Sequence, residues 1–169
     1  MSADVYKEQL ITRKSDEKDM LKKIVIAAVG VTLSCASVVF YGPMPSTVIV
    51  FIICFIIYKI YGRFNVEYEY IYTNGSLDID CIYNKEKRKR KYSATVSEFE
   101  MMAHIDDERL KEFEELPKID FSSGDILGNT YVFIGKYKGK RARIVFEPNE
   151  EILSAMNIDL TPRKLFRKK

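Results

Sequence analysis

Two stretches of the chain have no polar rhythm. Residues 24–41, IVIAAVGVTLSCASVVFY, carry neither charge nor proline. Residues 46–61, STVIVFIICFIIYKIY, carry one charge, Lys59, close to their end. At about 1.5 Å per residue the first reaches about 27 Å as a helix, near the hydrocarbon thickness of a bilayer. Lys59 stands where a long stem lets an ammonium reach the headgroups. Gly42-Pro43-Met44-Pro45, an uncharged turn with two helix breakers, separates the stretches. The pattern predicts a transmembrane helical hairpin over residues 24–62. A cleaved signal peptide fits poorly, because residues 1–23 are polar and of mixed charge. A buried soluble hairpin would need a much larger polar domain to wrap it. The leader, residues 1–23, has only a weak apolar stripe (Val5, Leu10, Ile11) and reads as either a short interfacial helix or a frayed tail.

From Asn65 the period changes to alternation. Val66, Tyr68, Tyr70 and Tyr72 share one face of a strand, and Leu77, Ile79, Cys81 and Tyr83 continue after Asn74-Gly75, the strongest short hairpin signal. A two-residue turn sets Tyr72 across from Leu77 and puts the apolar residues together, which fixes the register. The opposite face then collects Glu67, Glu69, Asp78 and Asp80. Like charges opposed on a sheet are unfavourable, so a neutralising neighbour is expected.

Further along, residues 93–105 read as one or two short strands. Asp106-Asp107 can cap a short helix at 108–116 that ends at Pro117, with Leu110 and Phe113 inward. Residues 121–129 read as a loop. Residues 130–137 and 140–146 form a second hairpin over Lys138-Gly139. Asn149 can cap a closing helix from Glu150 to about Met156, with acids in its first turn. The tail, PRKLFRKK, is basic and reads as frayed or membrane-touching. The fold class is therefore an α+β membrane protein: a transmembrane hairpin, then a mostly antiparallel β domain over residues 64–169 with a C-terminal helix.

Charge sharpens the placement. The 169 residues hold 27 Lys and Arg against 24 Asp and Glu, a formal net charge of +3, which does not mark a general polyanion binder. Its distribution is uneven. Lys7, Arg13, Lys14, Lys18, Lys22 and Lys23 flank the first apolar stretch, Lys59 and Arg63 flank the second, and the turn between has none. The positive-inside rule then gives a two-pass protein of the plasma membrane with both termini cytoplasmic.

Residues 84–92 read NKEKRKRKY. If 84–87 make a turn, alternate residues of the following strand fall beside Asp78 and Asp80. Part of the run thus neutralises its own sheet. Lys87, Arg88, Lys89, Arg90 and Lys91 are also the candidate contact for anionic lipid headgroups or an acidic protein partner, at about 1 kcal/mol per basic residue near an anionic surface. Nucleic acid is disfavoured, since no helix-turn-helix, RNP-type motif or zinc ligand set accompanies them. Within the first helix Gly30 and Ser34 form a small-xxx-small pair, suited to packing the two helices of one chain or to a homo-oligomer seam.

No chemistry beyond binding is legible. Cys35, Cys54 and Cys81 lack CxxC spacing and read as small buried hydrophobes. The single histidine, His104, has no nucleophile in context and reads as a surface or packing residue. The acid pairs at 106–107, 114–115 and 150–151 sit at helix starts or surfaces. Ser122-Ser123-Gly124-Asp125 lacks the P-loop Gly-Lys-Ser/Thr. The expectation is a non-enzyme with no catalytic residue, metal or cofactor: an adaptor or sensor, or alternatively a structural subunit of a homo-oligomer or larger membrane complex.

The chain resembles a family of small Gram-positive, largely clostridial, membrane proteins with a two-helix N-terminal hairpin and a cytoplasmic bacterial pleckstrin-homology-like domain. The matching residues are Asp4-Val5-Tyr6-Lys7-Glu8-Gln9-Leu10, Asn65-Val66-Glu67-Tyr68-Glu69-Tyr70, Thr73-Asn74-Gly75, Leu77-Asp78-Ile79-Asp80, the basic run, and Phe99-Glu100-Met101-Met102-Ala103. The Glu-Tyr-Glu-Tyr to Asp-Ile-Asp hairpin is the specific part. The resemblance implies placement and fold and brings no site residues or activity with it.

Overall fold

The computed structural model describes residues 5–125 and 128–160, and the backbone of residues 165–166. In chain order the elements are β1 (Tyr6–Thr12), α1 (Glu17–Tyr41), α2 (Pro43–Gly62), β2 (Val66–Thr73), β3 (Ser76–Tyr83), β4 (Lys87–Thr95), β5 (Met101–His104), β6 (Lys118–Asp120), β7 (Tyr131–Tyr137), β8 (Lys140–Phe146), α3 (Glu150–Asp159) and β9 (Leu165–Phe166). They divide into two compact units. One holds Met1–Lys14, Glu67–Ile82 and Lys87–Lys169, and the other holds Ser15–Val66 and Tyr83–Glu86.

The second unit is the helical hairpin. Both helices are long and apolar enough to cross a membrane. α1 starts well before the apolar stretch because Asp16 Oδ1 accepts from the Glu17 N–H at 2.8 Å, supplying an N-cap. The break between the helices is a single residue, Gly42, whose φ of 75° suits glycine. Pro43 then occupies the first helical position, where its missing N–H costs nothing. Small residues bring the helices together. A Cβ added at Gly30 would overlap Ile57 Cδ1 and lie 3.6 Å from Ile53 Cγ2. Ser46 Oγ donates to the Ser37 carbonyl at 2.9 Å near the turn, and Tyr61 OH donates to the Lys23 carbonyl at 2.7 Å at the far end. Cys35 and Cys54 are exposed on this hairpin, contrary to the expectation that all three cysteines are buried; Cys81 alone is.

The first unit packs two sheets, ordered β1-β2-β3-β4 and β6-β8-β7-β5-β9. Tyr70, Tyr72, Leu77 and Ile79 of the first sheet are fully buried, as are Phe133, Ile144 and Phe146 of the second. Aromatic rings fill the space between. Tyr70 meets Phe146 edge-on at 5.8 Å, and Phe133 is stacked on Phe99 at 4.1 Å. The Tyr70 hydroxyl also ties the layers: it donates to the Phe121 carbonyl at 2.7 Å and accepts from the Glu147 N–H at 3.1 Å. The opposite face of the second sheet buries Met101, Ala103, Val132, Ile134 and Val145 beneath Leu110.

The leader is where the structure departs most from expectation. Tyr6–Thr12 is neither an interfacial helix nor frayed. It is strand β1, antiparallel to β2 from Tyr6↔Thr73 to Thr12↔Glu67. Its inward residues are held by polar partners: Gln9 Nε2 donates to the Glu147 carbonyl at 2.9 Å, Gln9 Oε1 accepts from the Asn149 N–H at 2.6 Å, and Lys7 pairs with Glu151 at 2.9 Å. Three smaller differences follow, two of them from non-local pairing. Residues 118–120, which carry no pattern that predicts an element, form β6 parallel to β8. The segment Glu108–Phe113 is a 3-10 helix, capped by Asp107 as anticipated. Within the tail, Leu165–Phe166 pairs parallel with β5, and the rest of PRKLFRKK lies outside the described residues. Helix α3 begins as expected, with Asn149 Oδ1 accepting from the Ile152 N–H at 2.9 Å.

Candidate functional site

The alternation of β2 and β3 leaves Glu69 and Asp80 on the face away from the aromatic core, yet both are buried. What covers them is β4. The Arg88 guanidinium pairs with Glu69 and lies 3.9 Å from Asp80. Arg90 reaches Asp80 through Nε at 2.9 Å and Asp78 through Nη1 at 2.9 Å. Both arginines remain half-exposed, so their planar forks lie over the acids like a lid. The expected neutralisation of the acidic face by alternate residues of the run is therefore present, and Arg88 and Arg90 carry it.

The remaining members of the run differ. Lys87 and Lys89 are exposed and make no ion pair among the described residues. Lys91 is part-buried and has a partner of its own. Past Arg90 strict alternation fails. Tyr92 has the parity of the two arginines but is buried, its ring 5.4 Å from Phe133. The turn into β4 needs two left-handed residues, Asn84 at φ 51° and Lys85 at φ 56°.

Sequence reasoning missed one member of this network. Glu8 arrives from β1, on the residue two before Leu10, which stands directly across from Glu69. Burial, and then a hydrogen bond shared with Glu8, hold the Glu69 carboxyl above its ordinary range. The Glu8 carboxyl is held below it, first by a hydrogen bond from Tyr6 OH at 2.6 Å and then by Glu69. Glu8, Glu69, Asp78 and Asp80 thus gather about two guanidiniums, and burial together with the neighbouring carboxyls favours the protonated form of Glu69. The only signal for Glu8 in the sequence was its place in a Tyr-x-Glu-x-Leu alternation that polar inward residues disguise.

The other sequence candidates have structural settings. Gly30 faces Ile53 and Ile57 of α2, and Ser34 Oγ donates to the Gly30 carbonyl at 2.8 Å within α1. His104 is a packing residue: Nε2 lies 3.0 Å from the Gly128 carbonyl, and the ring meets Tyr131 edge-on at 5.5 Å. Ser122 and Ser123 are buried in a turn, Ser123 Oγ donating to the Glu147 carboxyl at 3.0 Å. No group of three or more His, Cys, Asp or Glu side chains could hold a metal ion among the described residues. The arrangement on β4 is suited to electrostatic contact.

Compared with known proteins, residues 3–167 match the family model described as bacterial PH-like domain (DUF6106). No curated protein and no solved structure matches the chain.

Proposed function

Because the chain belongs to the bacterial PH-like domain family, we propose that it is a non-enzymatic, membrane-associated binding module, an adaptor or sensor that meets an anionic surface through β4. The observation that carries this reading is the division of labour along that strand. Arg88 and Arg90 are committed to Glu69, Asp78 and Asp80, while Lys87 and Lys89 remain exposed with no acid of their own among the described residues. Two such lysines contribute roughly 2 kcal/mol at an anionic surface, screened by salt. The surface this suits best is the inner leaflet. Lys18, Lys22, Lys23, Lys59 and Arg63 flank the apolar helices and the intervening turn has no basic residue, which supports a two-pass plasma-membrane protein with both termini cytoplasmic.

The test uses the full chain in nanodiscs, of phosphatidylcholine alone or with phosphatidylglycerol, footprinted with an acetylating reagent and read by mass spectrometry. Lys87 and Lys89 should react more slowly in the anionic discs, and high salt should remove the difference. Equal reactivity at low salt would refute lipid contact and move the reading to an acidic protein partner. A structural subunit assembled through Gly30 and Ser34 is the weaker reading, because Gly30 already packs against Ile57 of the same chain.

A further inference from the structure

On the far side of the second sheet, where the 3-10 segment crosses it, lies a half-open cavity of about 220 Å³. Its floor is apolar, built from Ile105, Leu110, Val132 and Val145. Its rim is charged, and most of that charge is already spent. Asp107 is held by Arg109 at 2.9 Å, Glu108 lies 3.7 Å from Lys111, Lys118 pairs with Asp120 at 2.9 Å, and Asp106 lies 3.4 Å from His104 Nδ1. Two lining residues are left over, one of each sign. Arg143, half-buried on β8 beside Lys118 of β6, and Glu114 make no ion pair or side-chain hydrogen bond among the described residues.

An apolar floor with one uncommitted cation and one uncommitted anion is complementary to a small zwitterion with an apolar body. The volume corresponds to about seven waters at about 30 Å³ each, below the usual range of drug-sized sites, so the ligand must be small. We propose that this cavity binds a free amino acid with an apolar side chain: Arg143 takes the carboxylate, Glu114 the ammonium, and the apolar surface at Ile105 and Leu110 the side chain. The guanidinium fork matches a carboxylate in two parallel hydrogen bonds, which an ammonium-bearing lysine cannot reproduce. The site shares no residue with β4 and stands or falls independently of the lipid reading.

L-leucine is the probe, titrated calorimetrically into the purified full chain in detergent micelles. Two half-analogues run beside it: 4-methylpentanoate, which lacks the ammonium, and 3-methylbutylamine, which lacks the carboxylate. Saturable leucine binding is expected, weakened about tenfold or more in Arg143→Gln and in Glu114→Gln, with each half-analogue weaker by a similar factor. Melting curves check that both variants fold; should Arg143→Gln not fold, Glu114→Gln and the analogues decide. Absence of saturable leucine binding would overturn the proposal. So would leucine affinity unchanged in either folded variant, or a half-analogue that binds as well as leucine.

Discussion

Replacing Tyr70 by Phe removes one oxygen and leaves the ring in place. The ring sits at 0% exposure, so the substitution opens almost no space. It does strand two backbone groups. The Phe121 carbonyl loses its donor at 2.7 Å, and the Glu147 N–H loses its acceptor at 3.1 Å. Both residues are buried, and the vacated space is smaller than a water. An unsatisfied buried polar group costs about 1–3 kcal/mol, so the pair should cost roughly 2–6 kcal/mol. For a domain near 100 residues each kcal/mol lowers the midpoint by about 4–8 °C, which puts the expected drop at roughly 8 °C or more. The comparison is Tyr6→Phe, which deletes an equally short hydrogen bond, to Glu8 at 2.6 Å, from an exposed site. Water replaces that partner, and the cost should stay within about 0.5 kcal/mol. Thermal unfolding of the full chain in detergent gives the midpoints, and hydrogen exchange of the peptide containing Glu147 gives the local effect. If Tyr70→Phe melts with Tyr6→Phe and the Glu147 amide stays protected, the hydroxyl does not brace the two sheets.

Two further outcomes follow. The Glu69 carboxyl is raised in the fold, by burial first and by Glu8 second, with Arg88 opposing and Asp80 adding to the shift. A raised carboxyl contributes stability that is present below its unfolded-state pKa and lost as pH climbs through the folded value. Wild type should therefore lose stability relative to Glu69→Gln as pH rises above the ordinary glutamate value of about 4, and parallel midpoint curves would show that Glu69 titrates as in the unfolded chain. In the hairpin, Gly30→Leu should push α1 from α2, whereas Gly30→Ala should be tolerated because Ile57 Cδ1 is a chain end that can swing aside. Spin labels on Cys35 and Cys54, in a Cys81→Ala background, read the separation; a distance unchanged in Gly30→Leu would show that Gly30 is not at the seam.

The elements legible in the sequence are those whose cause is local. Asn74-Gly75 and Lys138-Gly139 announce hairpins because each pair must take positive φ, and they do, at 47°, 86°, 50° and 79°. The apolar helices announce themselves by length, and Asn149 and Asp107 cap as their side chains dictate. The elements that stayed hidden owe their shape to distant partners. β1 shows no apolar alternation, since Lys7 and Gln9 are inward and satisfied by Glu151, Glu147 and Asn149, more than a hundred residues away. β6 is three residues long and exists because β8 lies beside it. On β4 the alternation set alternate basic residues beside the acids without saying which pair; the structure makes them Arg88 and Arg90, and no periodicity reveals that Tyr92 turns inward. Arg143 and Glu114 are ordinary charges in the sequence, and only the bookkeeping of their neighbours' ion pairs sets them apart.

The pairing of β1 with β2 has a consequence for biosynthesis. Thr12 and Glu67 are ladder partners, yet both apolar helices are made between them. At about 5–20 residues per second, the ribosome releases β1 several seconds before β2 exists. During that interval the strand is an orphan with both edges open, and its Lys7, Glu8 and charged neighbours keep it soluble. If both helices span a bilayer, the sheet can close only when the chain returns to the side from which it left. Insertion of one helix without the other would place β1 and β2 on opposite sides of the bilayer and leave the domain one strand short. Closure of the first sheet would then report on the threading of the hairpin: a chain that crossed the bilayer an odd number of times would leave β1 and β2 unpaired.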